Sequence, residues 1–200
     1  MSAVARATIV AAAVVASFGG CGDDAQRASG KRERVQAVQA RASDRTTATE
    51  MCDVMHPAGA GPALTLPALT TDAPPHAAGT WQWINVWATW CKPCIEEMPR
   101  LSAWRGRLAN AGARVVLQLV SADESDEVVA AYRADHPATP ATFRLADPDG
   151  LAAWVESLGV PGASLPVHVF VDPRGQIRCV RASAVEDTDY PAIESLVRGG

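Results

Sequence analysis

Two kinds of hydrophobic pattern alternate along the chain from residue 81 to residue 198. Continuous apolar runs of strand length predict buried strands at residues 81–87, 115–120, 143–145, 167–171 and 176–180. Apolar residues at steps of three and four predict helices at residues 94–110, 125–134, 151–158 and 190–198. Alternating strands and helices are typical of an α/β domain.

The order of these elements predicts how the strands pair. The helices between the first strands act as crossovers, which make neighbouring strands parallel. The last two strands flank the turn Asp172-Pro-Arg-Gly175, which predicts an antiparallel hairpin at one edge. We therefore predict a three-layer α/β sandwich with a mixed parallel and antiparallel sheet.

The first twenty residues differ from the rest of the chain. Arg6 is the only charged residue before Asp23, an apolar run covers residues 9–16, and small residues follow. This pattern is typical of a secretory signal, and the run is shorter than the roughly 20 residues of a transmembrane helix. We predict a signal peptide at residues 1–20; a buried N-terminal helix is the alternative.

The end of this segment, Ser17-Phe-Gly-Gly-Cys21, resembles a bacterial lipoprotein signal, although Phe18 stands where leucine is usual. The resemblance implies a lipid on Cys21, which holds a protein at a membrane without spanning it. Cleavage without lipid is the alternative. Residues 22–50 are mostly polar and contain no aromatic side chain, and a thin apolar stripe predicts a partial helix at residues 31–42. We therefore predict a flexible tether at residues 21–55 and a folded domain at residues 56–200.

Composition narrows the possible functions. The chain carries 18 Lys and Arg against 22 Asp and Glu, and residues 51–200 are the more acidic part, with eleven basic and seventeen acidic residues. Nucleic-acid binding generally requires a basic surface, so this composition argues against it. The five cysteines cannot all pair within one chain, so at least one has another fate.

The motif that carries chemistry is Trp90-Cys-Lys-Pro-Cys94, at the junction between the first predicted strand and helix. A CxxC pair can attach haem, bind zinc or act as a redox dithiol. Haem attachment requires a following His, where this chain has Ile95, and zinc requires a second ligand pair of similar spacing, which the sequence does not supply. A dithiol fits, because a helix N-terminus stabilises a thiolate on Cys91, and Cys94 lies one turn further along.

The segment around this motif resembles the active-site segment of thioredoxin-fold proteins, and among them the TlpA/ResA/CcmG branch. The branch pattern N-x-W-A-x-W-C-x-P-C-x-x-E-x-P is matched at its fixed positions by Asn85, Trp87, Ala88, Trp90, Cys91, Pro93, Cys94, Glu97 and Pro99. The resemblance extends from about residue 63 to the C-terminus. It implies a thioredoxin-like fold and the activity of membrane-tethered extracytoplasmic thiol–disulfide oxidoreductases.

The resemblance also implies roles for residues outside the motif. The segment from Gly159 to Asp172 is similar to the branch's segment around a cis-proline, which makes Pro166 that residue, with Leu165 before it. In the family this loop packs against the CxxC, and its backbone pairs with a bound substrate strand. An ordinary trans proline at the start of a strand is the alternative. Trp90 is expected to shield the disulfide.

Two charged residues near the cysteines have predicted roles. Glu97 follows Cys94 by three residues, so both project from one helix face. A partly buried carboxylate there is expected to take the proton from Cys94; an exposed glutamate, as Glu96 is expected to be, is the alternative. Lys92 beside Cys91 is expected to favour the thiolate, lower its pKa and make the disulfide more oxidising.

Two further cysteines, Cys52 and Cys179, lie outside the CxxC motif and the predicted signal. Export places a protein in an oxidising compartment, so we predict a structural disulfide that joins the N-terminal extension to the hairpin. A buried free Cys179 and an exposed free Cys52 are the alternatives. His168, within a predicted strand, is expected to be a structural histidine.

We therefore predict a protein disulfide reductase that is lipid-anchored on the periplasmic side of the bacterial cell envelope. Its expected partners are disulfide-containing envelope proteins and a membrane reductant that recycles the dithiol. The family resemblance implies apocytochromes or cysteine-ligated metal-site proteins among the targets. We expect no organic cofactor and no metal site. An oxidase or isomerase on the same fold, and a copper-binding module that uses the same thiols, are the alternatives.

Overall fold

The computed structural model describes residues 47–162 and 164–199. The predicted signal peptide at residues 1–20, the predicted lipidation site Cys21 and most of the predicted tether lie outside the described residues. Among the residues that are described, no helix is both long enough and apolar enough to cross a membrane.

A single sheet of six strands forms the centre of the described part of the chain. Its strands are β1 (Val54–Met55), β2 (Trp81–Trp87), β3 (Val115–Ser121), β4 (Thr142–Arg144), β5 (Val167–Val171) and β6 (Ile177–Arg181). Their order across the sheet is β1-β6-β5-β2-β3-β4. β2, β3 and β4 run parallel, whereas β5 is antiparallel to both β2 and β6. The predicted mixed sheet with an antiparallel hairpin is confirmed.

Helices cover both faces of the sheet. Those of the described residues are α1 (Ala48–Met51), α2 (Lys92–Asn110), α3 (Asp126–Asp135), α4 (Leu151–Ser157) and α5 (Tyr190–Arg198), with short 3-10 helices at Pro148–Gly150 and Asp187–Asp189. α2 and α5 pack with Trp83 and Phe170 in one core, and α4 packs with Ile84 and Val169 in the other. Alternate residues of β2 thus serve opposite cores, as the period of a strand requires. The predicted three-layer α/β fold class is confirmed.

The predicted elements agree with the structure to within two residues at their ends. The largest difference is the start of α2, which the sequence places at Cys94 and the structure at Lys92. Cys91 is the N-cap, and Pro93 lies in the first turn. Because the first N–H groups of a helix have no partner within it, the missing N–H of Pro93 costs no helical hydrogen bond.

The folded domain begins earlier than predicted. α1 starts with a capping box in which Thr47 and Glu50 satisfy each other's backbone N–H groups. β1 pairs with β6, and Cys52 forms a disulfide with Cys179 in β6. The predicted tether therefore extends too far, because residues 48–55 belong to the fold. Local capping and the disulfide stabilise α1 and β1, which are too short to produce a periodic hydrophobic pattern in the sequence.

The Cys52–Cys179 disulfide joins residues 127 positions apart. We expect the double variant Cys52→Ala/Cys179→Ala to lose about 4–5 kcal/mol of unfolding free energy, because a long closed loop strongly restricts the unfolded chain. Urea denaturation followed by circular dichroism measures this loss.

The matched control is the double variant Cys91→Ala/Cys94→Ala, whose disulfide joins residues only three positions apart. Each pair contains one cysteine with no exposed surface, Cys179 in the first pair and Cys94 in the second. The short loop predicts a loss of roughly 2 kcal/mol. Equal losses in the two double variants would contradict the loop-closure explanation.

Candidate active site

The CxxC motif lies where the chain passes from β2 into α2. Cys91 caps the helix, and its Sγ accepts a hydrogen bond from the backbone N–H of Cys94 at 3.3 Å. The two cysteines are joined in a disulfide. Cys91 keeps 5% of its surface exposed, whereas Cys94 has none. A partner sulfur that approaches from solvent therefore meets Cys91 first.

The loop that precedes β5 lies beside the motif. Its Leu165–Pro166 peptide bond is cis, the state that the family resemblance implies. Leu165 packs against the core cluster that contains both Cys91 and Cys94. The fold thus brings together the motif and a loop that lies about 70 residues away in sequence.

Trp90 and Leu165 share a surface groove. Trp90 is 68% exposed, and the groove is lined further by Leu151, Glu124 and Asp149. Apolar side chains and two acidic side chains therefore border an open surface next to the motif. We call this surface the Trp90 groove.

Glu97 is buried one helical turn after Cys94, with 1% of its surface exposed. Its Oε1 accepts a hydrogen bond from Asn85 Nδ2 at 2.9 Å, and its Oε2 accepts one from the backbone N–H of Val185 at 2.8 Å. His168 Nε2 lies 3.3 Å from the same Oε2. These donors replace the water that a buried carboxylate loses. The structure therefore places Glu97 in the interior and not on the surface.

Lys92 contacts Glu96 on the surface of α2. Its Nζ lies 3.6 Å from Glu96 Oε1, and the two side chains are 83% and 64% exposed. Solvent and the Glu96 carboxylate both weaken the field that Lys92 exerts on Cys91. The structure thus weakens the sequence argument that Lys92 makes the disulfide oxidising.

Two polar residues face each other within apolar strands. Asn85 in β2 and His168 in β5 are cross-strand partners, so their side chains project from the same face of the sheet. Neither has exposed surface. His168 is thus buried, as a structural histidine would be, but sequence reasoning missed its contact with Glu97. The available signal is a polar residue inside each apolar run.

Asp123 anchors the segment that leads into the motif, and sequence reasoning missed it. It follows β3 and is 1% exposed. Its two carboxylate oxygens each lie 3.1 Å from the backbone N of Thr89, and they also accept hydrogen bonds from Thr89 Oγ1 at 2.7 Å and Ser121 Oγ at 2.6 Å. β2 and β3 are parallel, so their carboxyl ends meet at one edge of the sheet. An acidic residue two positions after β3 is the signal for this contact.

The copper-binding alternative would need further ligands beside the two thiols. Within the ranges 47–162 and 164–199, no group of three or more His, Cys, Asp or Glu side chains is placed to hold a metal ion. In the described part of the chain, Cys91 and Cys94 are therefore not joined by a third ligand of these types.

Comparison with known proteins shows similarity to one family. A sequence profile described as the AhpC/TSA family matches residues 65–180, which is more than half of the chain. The thioredoxin-like protein YneN of Bacillus subtilis (strain 168) is 41% identical over 49 residues. That match covers 24% of this chain and 29% of YneN, so the chain spans less than a third of this relative.

Solved structures with a similar fold come from several bacteria. A DsbF homologue from Corynebacterium diphtheriae is 19% identical with a TM-score of 0.55, covering 74% of this chain and 92% of its own. The thioredoxin domain of a thiol-disulfide oxidoreductase from Bacteroides vulgatus is 21% identical with a TM-score of 0.48, covering 60% and 80% respectively. At such identities the likeness concerns the fold, and the predicted thioredoxin-like sandwich is confirmed.

The buried carboxylate of Asp123 is predicted to hold the segment before the motif. Asp123→Ala removes the acceptor for Thr89 and Ser121, so we expect it to lower the unfolding free energy by about 2–3 kcal/mol. It should also increase hydrogen exchange at the Thr89 backbone amide. Urea denaturation and exchange followed by NMR measure the two effects.

Asp126→Ala is the matched control. Its carboxylate is 62% exposed and lies 2.9 Å from Nε of Arg144, whose side chain is 13% exposed. Because water reaches this carboxylate, we expect a loss of about 1 kcal/mol or less. Similar losses in both variants, or an unchanged Thr89 amide in Asp123→Ala, would show that Asp123 does not anchor the segment.

Proposed function

The chain belongs to the AhpC/TSA family, and on that basis we propose that it is a thiol–disulfide oxidoreductase that reduces disulfides of partner proteins. The observation that carries this proposal is the unequal burial of the CxxC pair. Cys91 caps α2 and keeps some exposed surface, whereas Cys94 has none. One thiol is therefore placed to meet a partner and the other to act only within the protein.

The reaction begins with the reduced dithiol. The Cys91 thiolate attacks one sulfur of the partner's disulfide, and the partner's second sulfur leaves as a thiolate and takes up a proton. Cys94 then attacks Cys91, the bond between Cys91 and the partner breaks, the partner's first sulfur leaves as a thiolate that takes up a proton, and the internal disulfide forms. Two electrons have passed from the dithiol to the partner. A second protein dithiol must return two electrons to Cys91 and Cys94 before the next cycle.

We propose Glu97 as the acceptor of the proton that Cys94 loses in the second step. It follows Cys94 by one turn of α2, and its carboxylate is buried with donors on both oxygens. A thiol is a poor nucleophile until it is deprotonated, and a thiol without exposed surface cannot pass its proton directly to water. Glu97 gives Cys94 an acceptor inside the protein.

The surroundings of Cys91 support the direction of reduction. Lys92 is the basic residue nearest to Cys91 in sequence, and its side chain faces solvent and Glu96. Glu124 and Asp149 line the Trp90 groove next to the motif. Negative charges near a thiol disfavour its thiolate, which stabilises the disulfide relative to the dithiol and makes the dithiol a better reductant.

We propose an extracytoplasmic location for the same protein. The Cys52–Cys179 disulfide is part of the fold, and structural disulfides persist in oxidising compartments. The signal-like pattern before Cys21 supports export and a lipid anchor. The proposed partners are disulfide-containing proteins of the cell envelope, and a membrane reductant that supplies the dithiol electrons.

The order of the two cysteines in the reaction is testable with insulin as a model disulfide protein. We expect Cys94→Ser to form a covalent adduct with an insulin chain, because no second thiol is present to release it. Mass spectrometry under non-reducing conditions identifies the adduct, and dithiothreitol should remove it. Cys91→Ser is the matched control and should form none. An adduct on Cys91→Ser, or none on Cys94→Ser, would overturn the assigned order.

The direction of electron flow is testable through the reduction potential of the Cys91–Cys94 pair. We expect a value closer to about −270 mV, typical of a reductant, than to about −120 mV, typical of an oxidant. Equilibration with defined ratios of reduced and oxidised dithiothreitol or glutathione, followed by thiol quantification, measures it.

The matched variant for this measurement is Lys92→Gln. Because the Lys92 charge is exposed and faces Glu96, we expect the potential to change by less than about 30 mV, which is a tenfold change in the equilibrium constant. A wild-type potential near −120 mV would instead favour the oxidase or isomerase alternative on this fold.

A further inference from the structure

The hydrogen bond from Trp83 determines which nitrogen of His168 can carry a proton. Trp83 Nε1 lies 3.1 Å from His168 Nδ1. An indole N–H can donate a hydrogen bond but cannot accept one. Nδ1 must therefore present its lone pair to Trp83. Asn85 Nδ2, at 3.4 Å, approaches the same nitrogen. In a neutral ring with an unprotonated Nδ1, the proton resides on Nε2.

The protonated nitrogen faces Glu97. His168 Nε2 lies 3.3 Å from Glu97 Oε2, and both side chains are buried, with 0% and 1% exposed. This contact is not aligned as a full hydrogen bond, and Nε2 has no other partner among the described residues. Hydrogen bonds at catalytic groups are often poorly aligned in the resting state and tighten during the reaction. Glu97 is the acceptor within reach of this proton.

Glu97 accepts hydrogen bonds from two groups other than His168. Asn85 Nδ2 holds Oε1 at 2.9 Å, and the Val185 N–H holds Oε2 at 2.8 Å. Arg100 Nη1 in turn donates to the Val185 carbonyl oxygen at 2.6 Å, which fixes that backbone. Glu97 is thereby held from β2 and from the segment before α5. His168 adds a third potential donor, from β5, to the same Oε2 that the Val185 N–H contacts.

We propose that His168 is a positioning residue for Glu97. Its Nε2–H, in a tautomer selected by Trp83, orients the carboxylate as proton acceptor for Cys94. The inference rests on the proposed function, because it concerns the step in which Cys94 attacks Cys91 of the mixed disulfide. In that step the Cys94–Cys91 bond forms, the bond from Cys91 to the partner sulfur breaks, and the partner sulfur leaves as a thiolate. The proton of Cys94 moves to Glu97 and then to solvent, while His168 keeps its own proton.

The step can be isolated with 5,5′-dithiobis(2-nitrobenzoate), a small chromogenic disulfide. The Cys91 thiolate of the reduced protein attacks it, forms a mixed disulfide and releases one thionitrobenzoate. Cys94 then attacks Cys91 and releases a second thionitrobenzoate. The first release depends on reagent concentration and the second does not, so stopped-flow absorbance resolves the two rates in one experiment.

Two variants distinguish the effect of losing the hydrogen-bond donor of His168 from the effect of losing its side-chain volume. In His168→Gln, an amide NH₂ replaces the Nε2–H donor, whereas His168→Leu fills similar space without a donor. We expect the first release to stay within about twofold of wild type in both. The second release should slow about tenfold or more in His168→Leu and stay within about threefold of wild type in His168→Gln, since loss of oriented proton transfer typically costs this much or more.

Each outcome has a distinct meaning. An unchanged second release in His168→Leu, or an equally slow one in His168→Gln, would overturn the role of His168. A wild-type protein that releases only one thionitrobenzoate would instead contradict the proposed function, because Cys94 would not resolve the mixed disulfide.

The tautomer provides a test that needs no variant and no turnover. Long-range proton–nitrogen NMR at about pH 8, where an ordinary imidazole is neutral, reports which ring nitrogen of His168 carries hydrogen. We expect the hydrogen on Nε2 and none on Nδ1. A hydrogen on Nδ1 would overturn the proposal even if His168→Leu fails to fold. Trp83→Phe removes the shorter of the two contacts to Nδ1 and leaves Asn85 Nδ2 at 3.4 Å, so the preference for the Nε2 tautomer should weaken.

Discussion

β2 is hydrogen-bonded on both sides, to β3 in parallel and to β5 in antiparallel register, and all seven of its residues are buried. A slip by one residue would exchange its two faces, moving Trp83 and Asn85 into the core that now holds Ile84. The register is therefore strongly constrained. The site depends on it, because the end of β2 sets where Cys91 begins α2, and Asn85 supplies a donor to Glu97.

The buried carboxylate of Glu97 joins elements that are far apart in sequence. Removal of an ionised group from water costs several kcal/mol even after the protein relaxes, so such a group persists only with well-placed partners. Its donors come from β2 and from Val185, which lies 88 positions away. α2 also holds the Val185 carbonyl through Arg100. α2 thus contacts both the backbone N–H and the backbone C=O of Val185. These two contacts fix the position of the Glu97 carboxylate.

Long apolar runs made most of the fold predictable from the sequence. A strand that is buried on both faces is hydrophobic at nearly every position, as β2 and β5 are, and a CxxC at a strand-to-helix junction is equally visible. α1 and β1 span four and two residues, which is too short for a period to show. The contact between His168 and Asn85 joins residues 83 positions apart, so only the strand register brings it into view. Lys92 and Glu96 have the spacing of helical neighbours, so their pairing is predictable from the sequence. The effect of Lys92 on Cys91 depends on solvent exposure, which the sequence does not show.

Burial does not distinguish the two disulfides, because Cys179 and Cys94 have no exposed surface, whereas Cys52 and Cys91 are 9% and 5% exposed. They differ in the loops that they close, which join residues 127 positions apart in one case and three in the other. A disulfide that stabilises the fold is itself stabilised by the fold to the same extent, so the longer loop makes the Cys52–Cys179 bond the harder one to reduce. The chain thus carries a bond of the type that it is proposed to break, and the free energy of folding protects that bond from the chain's own dithiol.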